Sequence, residues 1–171
     1  MRRANLLISI RSLMLLMFIV ACKSPKKEPV PGYVVELLGT YRSQSEHEFI
    51  GGTSQTELTQ MEITKSASKV NSVDLSYIRV IRRFNGATES PKDGQTWGPL
   101  SFKNVDVSET GTIDHKETQI TNFGGQPGNA VQTILSIKGG VVGNTLTIIF
   151  GTDYPSKNLF NNTLMWLEKV N

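Results

Sequence analysis

The chain of 171 residues contains only one cysteine, Cys22, and only two histidines, His47 and His115. With a single thiol, no disulfide can form within the chain, so folding must depend on the burial of apolar surface. A zinc site needs three or four converging ligands, and two histidines with no cysteine near either of them do not provide such a set. We therefore expect no metal site.

Catalytic motifs are missing as well. The sequence has no Gly-x-Ser-x-Gly nucleophile motif and no phosphate-binding glycine loop. Asn104, Asp106 and Ser108 have the spacing of the first calcium ligands of an EF-hand loop, but Glu109 occupies the position at which that loop requires glycine. These absences favour a protein that is not an enzyme and needs no cofactor. Carboxylates are plentiful, so an enzyme with a polar cluster inside its cavity stays the last-ranked alternative.

An excess of charge of one sign is also absent from the main part of the chain. Lys and Arg together number 18, and Asp and Glu number 15. Three of the basic residues, Arg2, Arg3 and Arg11, lie at the N-terminus, and without them the two signs balance at 15 each. This balance gives no basic footprint for nucleic acid, so we expect no nucleic-acid partner.

One short apolar stretch stands out near the N-terminus. Leu13 to Ala21 carries no charge and follows the three arginines. A bilayer-spanning helix needs about 20 apolar residues, so this stretch is too short to be one. A positive start followed by a short apolar region is typical of a secretory signal peptide, which we place at residues 1–21.

The end of that stretch carries a more specific pattern. Ile19, Val20, Ala21 and Cys22 resemble the lipobox of bacterial lipoproteins at all four positions. The resemblance implies cleavage before Cys22, a diacylglycerol on its thiol and a lipid anchor in the bacterial cell envelope. Stable anchoring needs at least two acyl chains, and a fully acylated Cys22 would provide them. The alternative is an ordinary signal peptide with a free cysteine.

Residues 22–32 contain three prolines and three lysines, and such a segment cannot build a core. We predict an extended tether that holds the domain away from the membrane. Some surface lipoproteins have an acidic run at this place, whereas this tether is basic. The sequence therefore favours the outer membrane, with the domain facing the periplasm.

Residues 33–171 form one predicted domain. Short segments rich in Val, Ile, Thr, Tyr and Phe alternate with Gly, Pro, Asn and Ser, which is typical of an all-β protein. We predict strands at 33–42, 57–65, 70–84, 100–108, 112–123, 131–138, 145–152 and 163–170. Glu109-Thr110-Gly111 predicts a tight hairpin. Short connections favour an antiparallel up-and-down β-barrel of about eight strands, with a β-sandwich as the alternative.

The domain also resembles the lipocalin-like, or calycin, domains of bacterial lipoproteins. The similarity lies in Gly39-Thr40-Tyr41, in the segment 143–150 and in Trp166 of the last predicted strand. Tyr41 stands where lipocalins have a tryptophan, and the arginine that packs over it in that family has no clear equivalent here. The resemblance implies a barrel that binds a small apolar or amphipathic ligand. The alternative is an accessory lipoprotein with a filled core, which would bind another envelope protein.

Three residues are candidates for ligand contact: Tyr77, Arg82 and Trp97. In segment 70–84 the apolar residues occupy odd positions up to Tyr77 and mainly even positions after it. A β-bulge at Tyr77-Ile78 would restore one apolar face, turn Arg82 inward and leave Arg79 in solvent. Buried charge is costly unless it is paired, so an inward Arg82 would meet a carboxylate or an anionic headgroup. The alternative is that Arg82 lies at the open rim of the barrel and keeps its charge in water. Trp97 either lines a pocket or caps the core.

Overall fold

The computed structural model describes residues 28–49, 53–85, 96–123 and 128–170. Cys22 and the predicted signal peptide lie outside these ranges. So does the side chain of Arg82, although its backbone belongs to a described strand. Within the described ranges, no helix is both long and apolar enough to cross a bilayer.

The domain is an antiparallel β-barrel of eight strands in up-and-down order, which confirms the predicted fold class. A short helix, α1 (Gly32–Leu37), precedes the first strand, and one 3₁₀ turn (Pro155–Lys157) precedes the last. The strands are β1 (Gly39–Phe49), β2 (Thr53–Lys65), β3 (Ser72–Asn85), β4 (Thr96–Asp106), β5 (Thr112–Asn122), β6 (Ala130–Val142), β7 (Thr145–Tyr154) and β8 (Leu159–Val170).

The barrel is nearly closed rather than fully closed. Its strand order is β4-β3-β2-β1-β8-β7-β6-β5, so that β4 and β5 are the two edges. Among the described residues, the backbones of these two edges are bridged at Val107 and Ile113. Strands β1 and β8 pair over three positions, from Thr40 with Val170 to Arg42 with Glu168. Two half-sheets, β1–β4 and β5–β8, are therefore joined at one end of the barrel and diverge towards the other.

The joined end, here called the narrow end, contains the hydrophobic core. Alternate residues of a strand point to the same face, and the inward set here is apolar. Met61 pairs with Tyr77, Ile63 pairs with Leu75, and all four side chains are buried. The other fully buried apolar side chains at this end include Tyr41, Phe102, Ile113, Ile137, Leu146, Ile148 and Leu167.

Helix α1 closes the narrow end. The sequence predicted a strand over 33–42, and this prediction was wrong for residues 33–37. The amides of Val34 and Val35 both donate to the carbonyl of Pro31, and Val34 and Leu37 are buried on the core side. The buried Tyr41 hydroxyl donates to the carbonyl of Leu37 at 2.9 Å, so that the first strand holds the end of the helix.

A basic side chain covers Tyr41. The Nζ atom of Lys169, from the last strand, lies 5.6 Å from the centre of the Tyr41 ring. The lysine thereby makes a cation–π contact with the ring.

The predicted turns and strands agree with the structure over most of the domain. The hairpin at Glu109-Thr110-Gly111 is confirmed: Gly111 has φ 74°, and its amide donates to the carbonyl of Ser108 at 2.9 Å. A 3₁₀ turn at Pro155–Lys157 connects the last two strands. Six of the eight strands are longer than predicted; β1, for example, extends to Phe49 and β8 begins at Leu159.

The bulge in β3 does not lie at the predicted place. Pairing of β3 with β2 is continuous from Val73 to Ile81, and the register shifts only after that, opposite Thr56 and Glu57. The register between β3 and β4 does shift after Tyr77, because Tyr77 pairs with Leu100 and Arg79 pairs with Trp97. Over this interval β4 advances three residues and β3 only two, so the extra residue lies in β4. Alternation therefore continues past Tyr77, and Arg79 lies on the inner face.

Candidate functional site

The wide end of the barrel encloses a chamber of about 870 Å³. Inward side chains from all eight strands line it, because the apolar filling of the barrel stops about halfway along the strands. Its lining includes Ser43, Ser45, Thr59, Tyr77, Arg79, Trp97, Leu100, Thr121, Leu135, Phe150, Thr152, Tyr154, Asn161, Thr163, Met165 and Leu167. Apolar and aromatic groups from the core thus meet a set of hydroxyl and amide groups.

Aromatic rings form the floor of the chamber. The rings of Tyr77 and Phe150 stack with centres 4.5 Å apart and an angle of 14° between their planes. Phe102, below them, makes an edge contact with Phe150, with ring centres 6.3 Å apart. Burial raises the pKa of the Tyr77 phenol above its usual value. The floor therefore combines flat apolar surface with one neutral hydroxyl.

An ion pair occupies one wall. Arg79 donates from Nε and Nη2 to the two carboxylate oxygens of Glu57, in a bidentate arrangement. Glu57 is only 3% exposed, whereas the Arg79 side chain is 40% exposed and lines the chamber. The guanidinium carbon lies 4.9 Å from the centre of the Trp97 ring. Two carboxylate bonds and one aromatic face hold the arginine in a fixed orientation.

A row of polar side chains follows the inner face of β5. His115 Nε2 and Glu117 Oε2 are 2.7 Å apart, and Gln119 donates to the other oxygen of Glu117. Gln119 also donates to the carbonyl of Ser101 on β4 at 2.6 Å. This bond crosses the seam between the two edge strands, so the side chains link β4 and β5 where their backbones do not pair.

The three residues predicted to contact a ligand are placed as follows. Tyr77 and Trp97 both line the chamber, Tyr77 in its floor and Trp97 in its wall. Trp97 belongs to β4 rather than to a loop. The side chain of Arg82 lies outside the described part of the chain, so its predicted role stays a prediction.

Sequence reasoning missed Arg79 and Glu57. It placed Arg79 in solvent because an unpaired charge inside a barrel is costly. The signal that could have corrected this lies in β2, where Glu57 continues the inward series of Met61 and Ile63 at intervals of two. A carboxylate in that phase predicts a basic partner on the neighbouring strand.

The described side chains form no cluster that could bind a metal ion. Within residues 28–49, 53–85, 96–123 and 128–170, no three His, Cys, Asp or Glu side chains lie close enough together to hold a metal ion.

No protein-family model matches this sequence, and comparison with curated proteins and with solved structures finds no similar protein.

Proposed function

We propose that this protein binds a small amphipathic ligand in the chamber at the wide end of its barrel. The observation that carries the proposal is the chamber of about 870 Å³. Binding sites for small molecules have volumes of about 300–1,000 Å³ and combine apolar walls with a few fixed polar groups. A barrel that served only as a structural element would be expected to fill this space with apolar side chains.

The lining indicates how such a ligand lies. Its apolar part packs on Tyr77, Phe150 and Leu135, which form the deep surface next to the core. Its polar part lies towards Arg79 and the hydroxyl groups of the wall. Because Glu57 already neutralises Arg79, the site favours a headgroup that accepts hydrogen bonds, and it does not require a full negative charge.

The alternative function is that of an accessory envelope protein with a filled core. Among the described residues, the tight apolar packing that this alternative requires is found in the narrow half of the barrel. A binding role therefore has the stronger support, and it needs no catalytic group.

A chamber-blocking variant tests the proposal. Thr152 lies on the inner face of β7 and lines the chamber, whereas Thr118 lies on the outer face of β5. The fluorescent fatty acid dansylaminoundecanoic acid is titrated into each protein, and native mass spectrometry gives the stoichiometry. We expect one bound molecule, affinity reduced ~10-fold or more by Thr152→Trp, and no change with Thr118→Trp, since overpacking acts only inside the barrel. Equal affinity in both variants, or no binding at all, contradicts the proposal.

We also propose that the protein is held at the bacterial outer membrane, facing the periplasm, through lipid on Cys22. The support is the arginine-rich start, the short apolar stretch and the match of residues 19–22 to a lipobox. Cys22→Ser should move the protein from the membrane fraction to the soluble fraction, with an unchanged circular dichroism spectrum. Equal recovery of both forms in salt-washed membranes would refute the anchor.

A further inference from the structure

The chamber does not end at the inner face of the barrel. Leu164 and Trp166 point outward from β8, since their neighbours Met165 and Leu167 are the less exposed residues of that strand. Both residues nevertheless line the chamber, as do the outward Ile120 and Asn122 of the edge strand β5. The chamber is therefore open at both seams of the barrel. The bond from Gln119 to Ser101 crosses the seam between β5 and β4, whereas β8 and β1 do not pair beyond Arg42 and Glu168.

The gap follows from the backbone register. The last pair between the two strands is Arg42 with Glu168, so β1 from Ser43 onwards and β8 before Glu168 have no ladder between them. Ser43 and Ser45 form the β1 side of the lining, and Leu164 and Trp166 form the β8 side. One rim of the gap is polar and the other is apolar.

The apolar rim continues as a patch on the outer surface. Leu164 pairs with Ile149 of β7, and both point outward; they are 48% and 44% exposed. Trp166 lies two residues further along the same face, about 7 Å from Leu164, and is 59% exposed. Exposed apolar clusters of this kind mark interaction sites, and tryptophan is the residue favoured where apolar and polar media meet.

We infer that the gap between β1 and β8 is a lateral portal, through which the acyl chain of a single-chain lipid slides from a bilayer into the chamber. The inference rests on the proposed ligand-binding function. The occupant follows from the apolar side chains on both faces of β8: Ile149, Leu164 and Trp166 are exposed outside, and Met165 packs against the core inside. An acyl chain contacts these groups in turn as it enters, while its headgroup passes the serine rim.

The length of the N-terminal segment is compatible with this approach. Val30 already packs against the core, so at most the eight residues from Cys22 to Pro29 reach from the barrel to the bilayer, a span of about 28 Å or less when extended. Strand β8, with 12 residues, is roughly 40 Å long. A tether of that reach, starting at the narrow end, lets the side of the barrel lie against the bilayer surface to which Cys22 is attached.

The test compares the rate of uptake with the affinity at equilibrium. The portal variant carries Leu164→Ser and Trp166→Ser. The control is Phe160→Ser, because Phe160 is 63% exposed on the outer face of the same strand but does not line the chamber. Dansylaminoundecanoic acid is supplied in two ways, as a monomer in buffer and preloaded in phosphatidylcholine vesicles, and its blue-shifted emission is followed by stopped flow.

We expect the portal variant to take up the probe from vesicles ~10-fold more slowly or worse, since it loses two apolar contacts with the bilayer. Leu164 and Trp166 line the chamber, so the affinity for the monomeric probe is expected to fall as well, but by a smaller factor than the vesicle rate, and Phe160→Ser should change neither quantity. A vesicle rate that falls only in proportion to the affinity overturns the portal. Equal vesicle rates in all three proteins overturn the portal while leaving ligand binding intact. Absence of binding even to the monomeric probe contradicts the proposed function instead.

Two other occupants would also overturn the inference. If the wild type sediments as a dimer and the portal variant as a monomer, the patch is an interface between copies of the chain. If an extended peptide blocks the gap by pairing with the edge of β8, amide hydrogen exchange in residues 159–167 falls on peptide addition but not on vesicle addition.

Discussion

Gly139 is the position at which a single methyl group should damage the barrel most. It lies on the inner face of β6, opposite Ile113 and Ile148, and has φ 153°. A Cβ atom at this position would lie 2.9 Å from the Cα of Ile148 and would collide with the carbonyl oxygen of Thr147. Both contacts are backbone atoms of the neighbouring strand, so no side-chain rotation relieves them.

Gly139→Ala combines two costs. A backbone conformation that L-residues rarely adopt costs about 1–3 kcal/mol. Forcing β6 and β7 apart costs about 1–3 kcal/mol more, by analogy with overpacked cores. We expect the free energy of unfolding to fall by about 3 kcal/mol or more, and the Tm by about 10 °C for a domain of this size.

The matched control is Gly143→Ala in the turn after β6. Gly143 also has positive φ, 62°, but a Cβ atom there would meet no other atom within 4 Å. Its substitution carries only the conformational cost, about 1–2 kcal/mol. Urea unfolding followed by circular dichroism measures both variants. If the two lose equal stability, the close approach of β7 to Gly139 does not exist and the reasoning fails.

Three further predictions concern ionisable groups. Glu57→Gln should lower the free energy of unfolding by about 1–3 kcal/mol, because it weakens two charge-assisted hydrogen bonds, whereas the exposed Glu62→Gln should change it by less than ~0.5 kcal/mol in urea unfolding. The amide of Asn104 lowers the pKa of Asp74, so the stability that this carboxylate contributes is present above about pH 4 and is lost as the pH falls further; Asp74→Asn should flatten the acid limb of a stability–pH curve. Burial raises the pKa of Tyr77, so its contribution is present below about pH 10 and is lost as the pH rises through the higher pKa of the folded state; Tyr77→Phe should reduce the alkaline loss of stability, measured by urea midpoints.

The strands could be predicted because their β-branched segments are separated by unambiguous turn residues. The hairpin at Glu109-Thr110-Gly111 is the clearest case, since a glycine with positive φ ends the turn. Helix α1 could not be predicted in this way. Its Val34-Val35 pair favours a strand, but burial of Val34 and Leu37 beneath the barrel determines the conformation of so short a segment.

Arg79 shows why the site was harder to predict than the fold. The rule that charge avoids the interior holds for an unpaired group, and a single sequence does not state which side chains will be neighbours. The register places Thr59 opposite Arg79 and puts Glu57 two residues further on the same face. Once the register is known, Arg79 no longer contradicts the apolar alternation of β3, because its charge is neutralised by Glu57 inside the barrel.

The distribution of inward polar residues links the stability of the barrel to its proposed role. In the narrow half the inward side chains of β2 and β7 include Met61, Ile63, Leu146 and Ile148, whereas Thr152 continues the β7 series in the wide half. An inward polar side chain such as Thr152 costs free energy to bury unless it forms a hydrogen bond. Among the described side chains, no buried nitrogen or oxygen atom lacks a hydrogen-bond partner. The polar groups of the wide half thus either form hydrogen bonds with each other or face the chamber, where water can bond to them.

The same polar groups would also be available to the headgroup of a ligand. A sequence selected only for a stable barrel would have continued the apolar series to the rim. The stop in that series halfway along the strands is therefore the feature of the fold that most favours a bound ligand.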